Sequence, residues 1–132
     1  MARQKKIVDA SVIVKWFSEE IGTPEALKIK DDHINGNILI LIPELALLES
    51  LNALIYKGKN KEALEKVTND LFNLQLFIEK LNPFLLQKAI EFSISNNLSV
   101  YDALYAALAQ IHGCALATAD QKLSKLFFAE KV

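Results

Sequence analysis

Cys114, His33 and His112 are the only thiol and imidazole side chains in the 132 residues. A lone cysteine cannot close an internal disulfide, and so few soft ligands cannot build a thiolate or imidazole zinc cage. Any metal must therefore be held mainly by oxygen. Long apolar runs are missing too. Ile38 to Pro43, one of the longest, falls far short of the roughly 18 residues that span a bilayer, and Met1 to Lys6 is not followed by a signal-like apolar region. The expected location is the cytoplasm, with no membrane partner. Nor is there an excess of charge: 15 Lys and Arg face 16 Asp and Glu, a formal net charge of −1. That gives no global attraction to nucleic acid. Setting four acids aside from that −1 would leave +3 on the remainder, so net charge does not exclude such a partner either.

What is present is ordinary globular composition, 52% hydrophobic and 23% charged, in a chain long enough for a proper core. One domain spanning residues 1–132 is expected, without internal repeats or a long linker. Lys5 to Ala10 reads as a strand stopping at Asp9, followed by a helix capped by Ser11 and running to about Glu20. Thr23 and Pro24 start a second helix, which Asn35 and Gly36 end. Asn37 to Ile42 is an aliphatic run suited to a strand buried on both faces. Pro43 and Glu44 open the next helix, a further one covers Lys61 to Leu74, and Phe77 to Leu81 suits a strand. Asn82 and Pro83 start another helix. Ser99 to His112 is a helix with an N-cap serine and a glycine stop at Gly113. Cys114 to Thr118 reads as a small strand, Asp120 begins a short helix, and residues 127–132 include an edge strand. This alternation predicts an α/β fold with a mainly parallel sheet, whose sites gather beyond the carboxyl ends of the strands.

Within that frame Leu45 to Tyr56 is unusual, being apolar almost all the way round while carrying Glu49. Such a helix is normally buried, and a carboxylate buried without a partner would cost several kcal/mol or become protonated. Asp9 and Asp120 each follow a strand, while Asp102 and Glu49 lie near the N-termini of their helices. Four convergent carboxylates suit a hard cation such as Mg²⁺ or Mn²⁺. A water held by such an ion can be acidified and aimed at phosphorus, the chemistry of phosphodiester hydrolysis. Ser11 and Thr118, each two residues from one of these acids, would steady them. Each aspartate also has a local explanation: Asp9 and Asp120 as helix caps, Asp102 in a capping box with Ser99. Tyr101, Tyr105 and Trp16 read as packing residues, Cys114 as a buried apolar one, and His112 as a helix-end residue facing terminal carbonyls. A Ser11-centred triad is disfavoured because neither histidine sits at a strand end.

Val8-Asp9-Ala10-Ser11, Pro43 to Glu49 with Asn52, Ser99 to Tyr105, and Ala117-Thr118-Ala119-Asp120 together resemble, in order and spacing, the PIN-domain family, especially its small VapC-like toxin ribonucleases. The resemblance implies a three-layer α/β/α fold and a Mg²⁺- or Mn²⁺-dependent endoribonuclease. Its acidic quartet would be Asp9, Glu49, Asp102 and Asp120, both catalytic and metal-binding, with Ser11, Asn52 and Thr118 in support. A homodimer or higher homo-oligomer and an inhibiting antitoxin protein are implied as well. Lys15, Lys122 and Lys125 follow motif acids closely enough to contact RNA phosphates, whereas Lys57, Lys59 and Lys61 read either as an extension of that path or as a solvated turn. Gln121 and Lys122 stand where some relatives carry another acid, which leaves one ion or two open. The competing functions are an inactive PIN-like module binding RNA or protein, a housekeeping RNA-processing nuclease, and a phosphoacceptor domain with Asp9 as nucleophile. The last is weakened by Ser11, where a second aspartate would be expected.

Overall fold

The computed structural model describes residues 3–132; Met1 and Ala2, included in the expected domain, lie outside the described residues. Five strands and six helices follow one another as β1 (Gln4–Val8), α1 (Ala10–Phe17), α2 (Thr23–Ile34), β2 (Ile38–Pro43), α3 (Leu45–Tyr56), α4 (Lys61–Asn73), β3 (Phe77–Glu79), α5 (Pro83–Asn96), α6 (Val100–His112), β4 (Ala115–Thr118) and β5 (Ala129–Lys131), with a 3₁₀ turn at Leu123–Lys125. All strand pairs are parallel, in the order β3-β2-β1-β4-β5. Ile7 is in register with Leu41 on one side and Leu116 on the other. The chain moves outward from β1 through β2 to β3, then returns across the sheet to β4. With right-handed crossovers, α1 to α4 cover one face and α5 with α6 the other. The ends of β1 and β4 thus flank the point where the strand order reverses, the usual place for a site in an open parallel sheet.

Local sequence explains most element ends. β2 is almost wholly buried, as its unbroken aliphatic run requires. Ser99 caps α6 by accepting the Asp102 amide at 3.0 Å, and Gly113 ends it in the left-handed region at φ 62°. Asn82 caps α5 and Asn60 caps α4 in the same way. His33 is buried and locked: its Nδ1 accepts from the Ile40 amide, so its Nε2 donates to the Leu74 carbonyl.

Several expectations change. The cap of α1 is Asp9, not Ser11, and the helix stops at Phe17, three residues before Glu20. Thr23 is the first residue of α2, preceded by Gly22 at φ 91°; its hydroxyl accepts from the Glu20 amide and donates to the Ser18 carbonyl, tightening the connection from α1. Pro43 ends β2 and does not open α3. The largest change concerns α3, which is not buried all round. Ala46, Ser50 and Leu54, four apart, form its inner stripe, while Leu48 and Tyr56 are 68% and 84% exposed. Small residues on the inner stripe let α3 approach its neighbours closely, at the expense of leaving larger apolar ones outside.

Candidate active site

β1 delivers Asp9 to the carboxyl edge of the sheet, where the chain turns directly into α1. Asp9 is 3% exposed, and both of its oxygens are occupied. Oδ1 accepts from Ser11 Oγ at 2.5 Å and from the Val12 amide at 3.2 Å, while Oδ2 accepts from Thr118 Oγ1. Ser11 Oγ in turn accepts from the Ala119 amide at 2.9 Å, and Thr118 Oγ1 from the Asp120 amide at 2.9 Å. Two hydroxyls therefore tie the end of β1 to the end of β4. Both hold Asp9 in one orientation, and the helix-cap role of Asp9 coexists with its place in this cluster.

Asp120 accepts from the Leu123 amide at 2.9 Å and so starts the 3₁₀ turn. Asp102 lies in the first turn of α6, hydrogen-bonded to Ser99. Glu49 enters from α3, half-buried, not enclosed as an all-apolar helix would require, and Oε1 accepts from Tyr105 Oη at 2.5 Å. The four acids sense one another. Burial pushes the Asp9 carboxyl up to about 6 against the pull of its hydrogen bonds, and the Asp120 charge adds to the rise. Burial also raises Glu49 and Asp102; Asp102 adds to the first shift, Asp120 to the second. Charge thus links Asp9 to Asp120, Asp120 to Asp102, and Asp102 to Glu49, residues that come from four separate parts of the chain.

The chemistry of this donor set fits a hard divalent cation: oxygen ligands only, like charges in mutual opposition, and partial exclusion of water. Among the described residues, however, no three acidic, imidazole or thiolate side chains stand close enough to form a ready ion cage. Asp9 has donors on both oxygens, whereas Glu49 and Asp120 accept through one oxygen each.

The remaining candidates divide. Lys122 is near enough to Asp102 for its charge to counter the rise of that carboxyl, and it shares with Lys125 a groove beside Asn97. Lys15 is directed elsewhere: only 8% exposed, it donates to Glu20 Oε1 at 3.0 Å and to the Ile21 carbonyl at 2.5 Å. The short turn after α1 brings Glu20 back over Lys15, a return that spacing along a longer helix would not suggest. Asn52 is exposed one turn beyond Glu49 and has no hydrogen bond to the acids among the described residues. His112 pairs with Glu79 at 2.9 Å rather than with helix carbonyls. Tyr101 is 62% exposed and is not a packing residue, and Cys114 is only partly buried.

Tyr105 is the residue that sequence patterning misses. Tyr105 is 1% exposed, as expected for packing, yet its hydroxyl donates to Glu49 Oε1. Burial first, then the Glu49 contact, drives the phenol far above its ordinary range, so it remains a donor. Its position three residues after Asp102 on α6 is a signal: the next turn of a helix starting at the site also faces the site.

Comparison with known proteins follows the same lines. The family model for the PIN domain matches residues 6–128. Among solved structures, PAE2754 from Pyrobaculum aerophilum is 25% identical, superimposes with a TM-score of 0.70, and is matched over 100% of this chain and 85% of its own. VapC20 of Mycobacterium tuberculosis, described as a sarcin-ricin loop cleaving toxin, is 16% identical with a TM-score of 0.75 over 93% of this chain and 95% of that one. A toxin-antitoxin complex from Klebsiella pneumoniae gives 16% identity and a TM-score of 0.73, with 95% of each chain covered. No curated protein matches the chain.

Proposed function

The chain belongs to the PIN-domain family, and from that premise we propose that it is a divalent-cation-dependent endoribonuclease, the toxin of a toxin-antitoxin pair. The observation carrying this is the placing of Asp9, Asp102, Asp120 and Glu49 at the reversal point of a parallel sheet, where burial first and a neighbouring acid after it raise Asp9, Glu49 and Asp102. The VapC20 toxin and the Klebsiella toxin-antitoxin complex, similar to this chain in fold, favour the toxin role and an antitoxin partner over a housekeeping one.

Asp9, Glu49, Asp102 and Asp120 would hold the ion, Mg²⁺ or Mn²⁺. When bound, it supplies an acidified water and neutralises charge on the phosphoryl oxygens. The protein's own share is orientation and charge. Ser11 and Thr118 fix Asp9, Tyr105 holds Glu49, and the Asp9 carboxyl must be deprotonated to serve as a ligand. Lys122 offsets the negative field beside Asp102 and stands where an RNA phosphate would approach. Apolar residues left outside on α3 and α5, Leu48, Tyr56 and Ile94 among them, offer surface for a second copy or an antitoxin. Among the described residues no helix is long and apolar enough to cross a membrane.

The test is cleavage of single-stranded or looped RNA by purified protein. Activity should require added Mn²⁺ or Mg²⁺, vanish with EDTA, and be lost in Asp102→Asn with the fold retained. Cleavage that survives both treatments would reject the mechanism. An inactive binding module is the second reading, favoured by the lack of a ready ion cage. Thermal melting separates the two, since a native-state ligand raises stability in proportion to the logarithm of its concentration over Kd. A melting temperature unmoved by millimolar Mn²⁺ would select the module.

A further inference from the structure

Beside the acidic cluster lies a groove of roughly 370 Å³. Ala10, Ser11 and Ala119 form the end that meets the cluster, and Lys15, Glu20 and Lys57 lie on its other side. Lys57 and Lys15 grip the same carboxylate. Lys57 Nζ is 2.8 Å from Glu20 Oε2, and Lys15 Nζ is 3.0 Å from Oε1. The two cations differ in freedom. Lys15 is sealed, with its side chain 9% exposed and a second bond to the Ile21 carbonyl, whereas the Lys57 side chain is 41% exposed at the end of α3. Two ammonium groups on one carboxylate leave a net positive charge beside a pocket that is otherwise strongly negative.

We propose that this groove binds a backbone phosphate of the RNA flanking the scissile one, with Lys57 as the phosphate ligand and Glu20 as the internal anion that the phosphate displaces. The proposal rests on the ribonuclease reading. Glu49, Ala53 and Lys57 are four residues apart in turn, so they share one face of α3, and Lys57 stands about 12 Å along the helix from the acidic cluster. Ala53, Ala10 and Ala119 line the way between, small enough for a sugar-phosphate chain to pass. Lys15, already neutralising Glu20, is a positioning residue: it keeps the carboxylate in place when Lys57 turns to the phosphate. Lys122 and Lys125 line a separate groove beside Asn97.

A purely structural role, a clasp joining the turn after α1 to the end of α3, would predict that losing either partner of the Glu20–Lys57 pair has the same effect. Phosphate competition predicts opposite effects. Binding of a fluorescent single-stranded RNA to the full chain, followed by anisotropy in EDTA so that no cleavage intervenes, reads this directly. Lys57→Gln should weaken binding roughly fivefold and reduce the slope of log K against log salt by about one, and Lys57→Arg should restore it. Glu20→Gln should tighten binding, since Lys57 is then free for the phosphate. Unchanged binding in Lys57→Gln, or weakened binding in a folded Glu20→Gln, would overturn the proposal. Lys57 is exposed at a helix end, so its variants stay folded, and unchanged binding in Lys57→Gln overturns the proposal even if Glu20→Gln does not fold. Metal-dependent cleavage with no shift in these variants sinks the groove alone; opposite shifts without any cleavage sink the nuclease reading alone.

Discussion

Asp9 concentrates the residue-scale physics. A buried carboxyl raised to about 6 is protonated in the fold at a pH where the unfolded chain has already released its proton. Between about pH 4 and 6 the folded state therefore binds more protons than the unfolded one, and the contribution of Asp9 to stability falls as pH rises. In EDTA, denaturant unfolding at pH 4.5 and pH 7 should show wild type losing roughly 2 kcal/mol relative to Asp9→Asn across that window. A gap that widens in favour of wild type would contradict the assignment. Since a cation must displace the proton, Mn²⁺ affinity should climb with pH up to about 6 and flatten above it. Tyr105 makes a second prediction. Removing its hydroxyl in Tyr105→Phe frees Glu49 without altering the buried ring, and outer partners of metal ligands typically matter by about 10–100-fold in affinity. Calorimetric titration with Mn²⁺ should show such a loss; equal affinity would reduce Tyr105 to a packing residue. The acids themselves were legible from sequence, because carboxylates at strand ends and helix starts are conspicuous. Tyr105 was not, because an aromatic at helical spacing reads as core, and only the structure brings its hydroxyl between α1 and α3.

At the scale of elements, α3 shows where hydropathy misleads. Its composition suggests burial on every side, yet Ser50 is fully buried, its hydroxyl without a partner among the described residues, while Leu48 is exposed. The buried face is the one with small side chains at Ala46 and Ser50, which periodicity of hydrophobic residues alone does not reveal. Leu54→Ala should therefore cost about 2–4 kcal/mol in denaturant unfolding, whereas Leu48→Ala should stay within about 0.5 kcal/mol. Comparable losses at both positions would mean that α3 is enclosed after all. Its neighbours were more readable. β2, with its unbroken aliphatic run, and α6, with Ser99 and Gly113 at its ends, carry their boundaries in local chemistry. The connection after α1 was not readable, because Thr23 and Glu20 fold it back through contacts that no helical repeat encodes.

The whole molecule joins these parts through topology. A parallel sheet in the order β3-β2-β1-β4-β5 places the ends of β1 and β4 side by side, so Asp9 and Thr118, far apart in sequence, become hydrogen-bonded neighbours. Helices on both faces then aim Glu49 and Asp102 at the same edge. The class of fold and this edge followed from the alternation of strands and helices; the strand order and the pairing of Lys15 with Glu20 required the folded chain. Sharing of one divalent ion by the four carboxyls is what we propose to unite these parts. Anomalous diffraction from crystals soaked in Mn²⁺ tests it most directly. A manganese peak is expected at the carboxyl edge of β1 and β4, within about 2.0–2.6 Å of carboxylate oxygens from Asp9, Glu49, Asp102 or Asp120. Crystals that take up Mn²⁺ only away from Asp9, Glu49, Asp102 and Asp120 would contradict it.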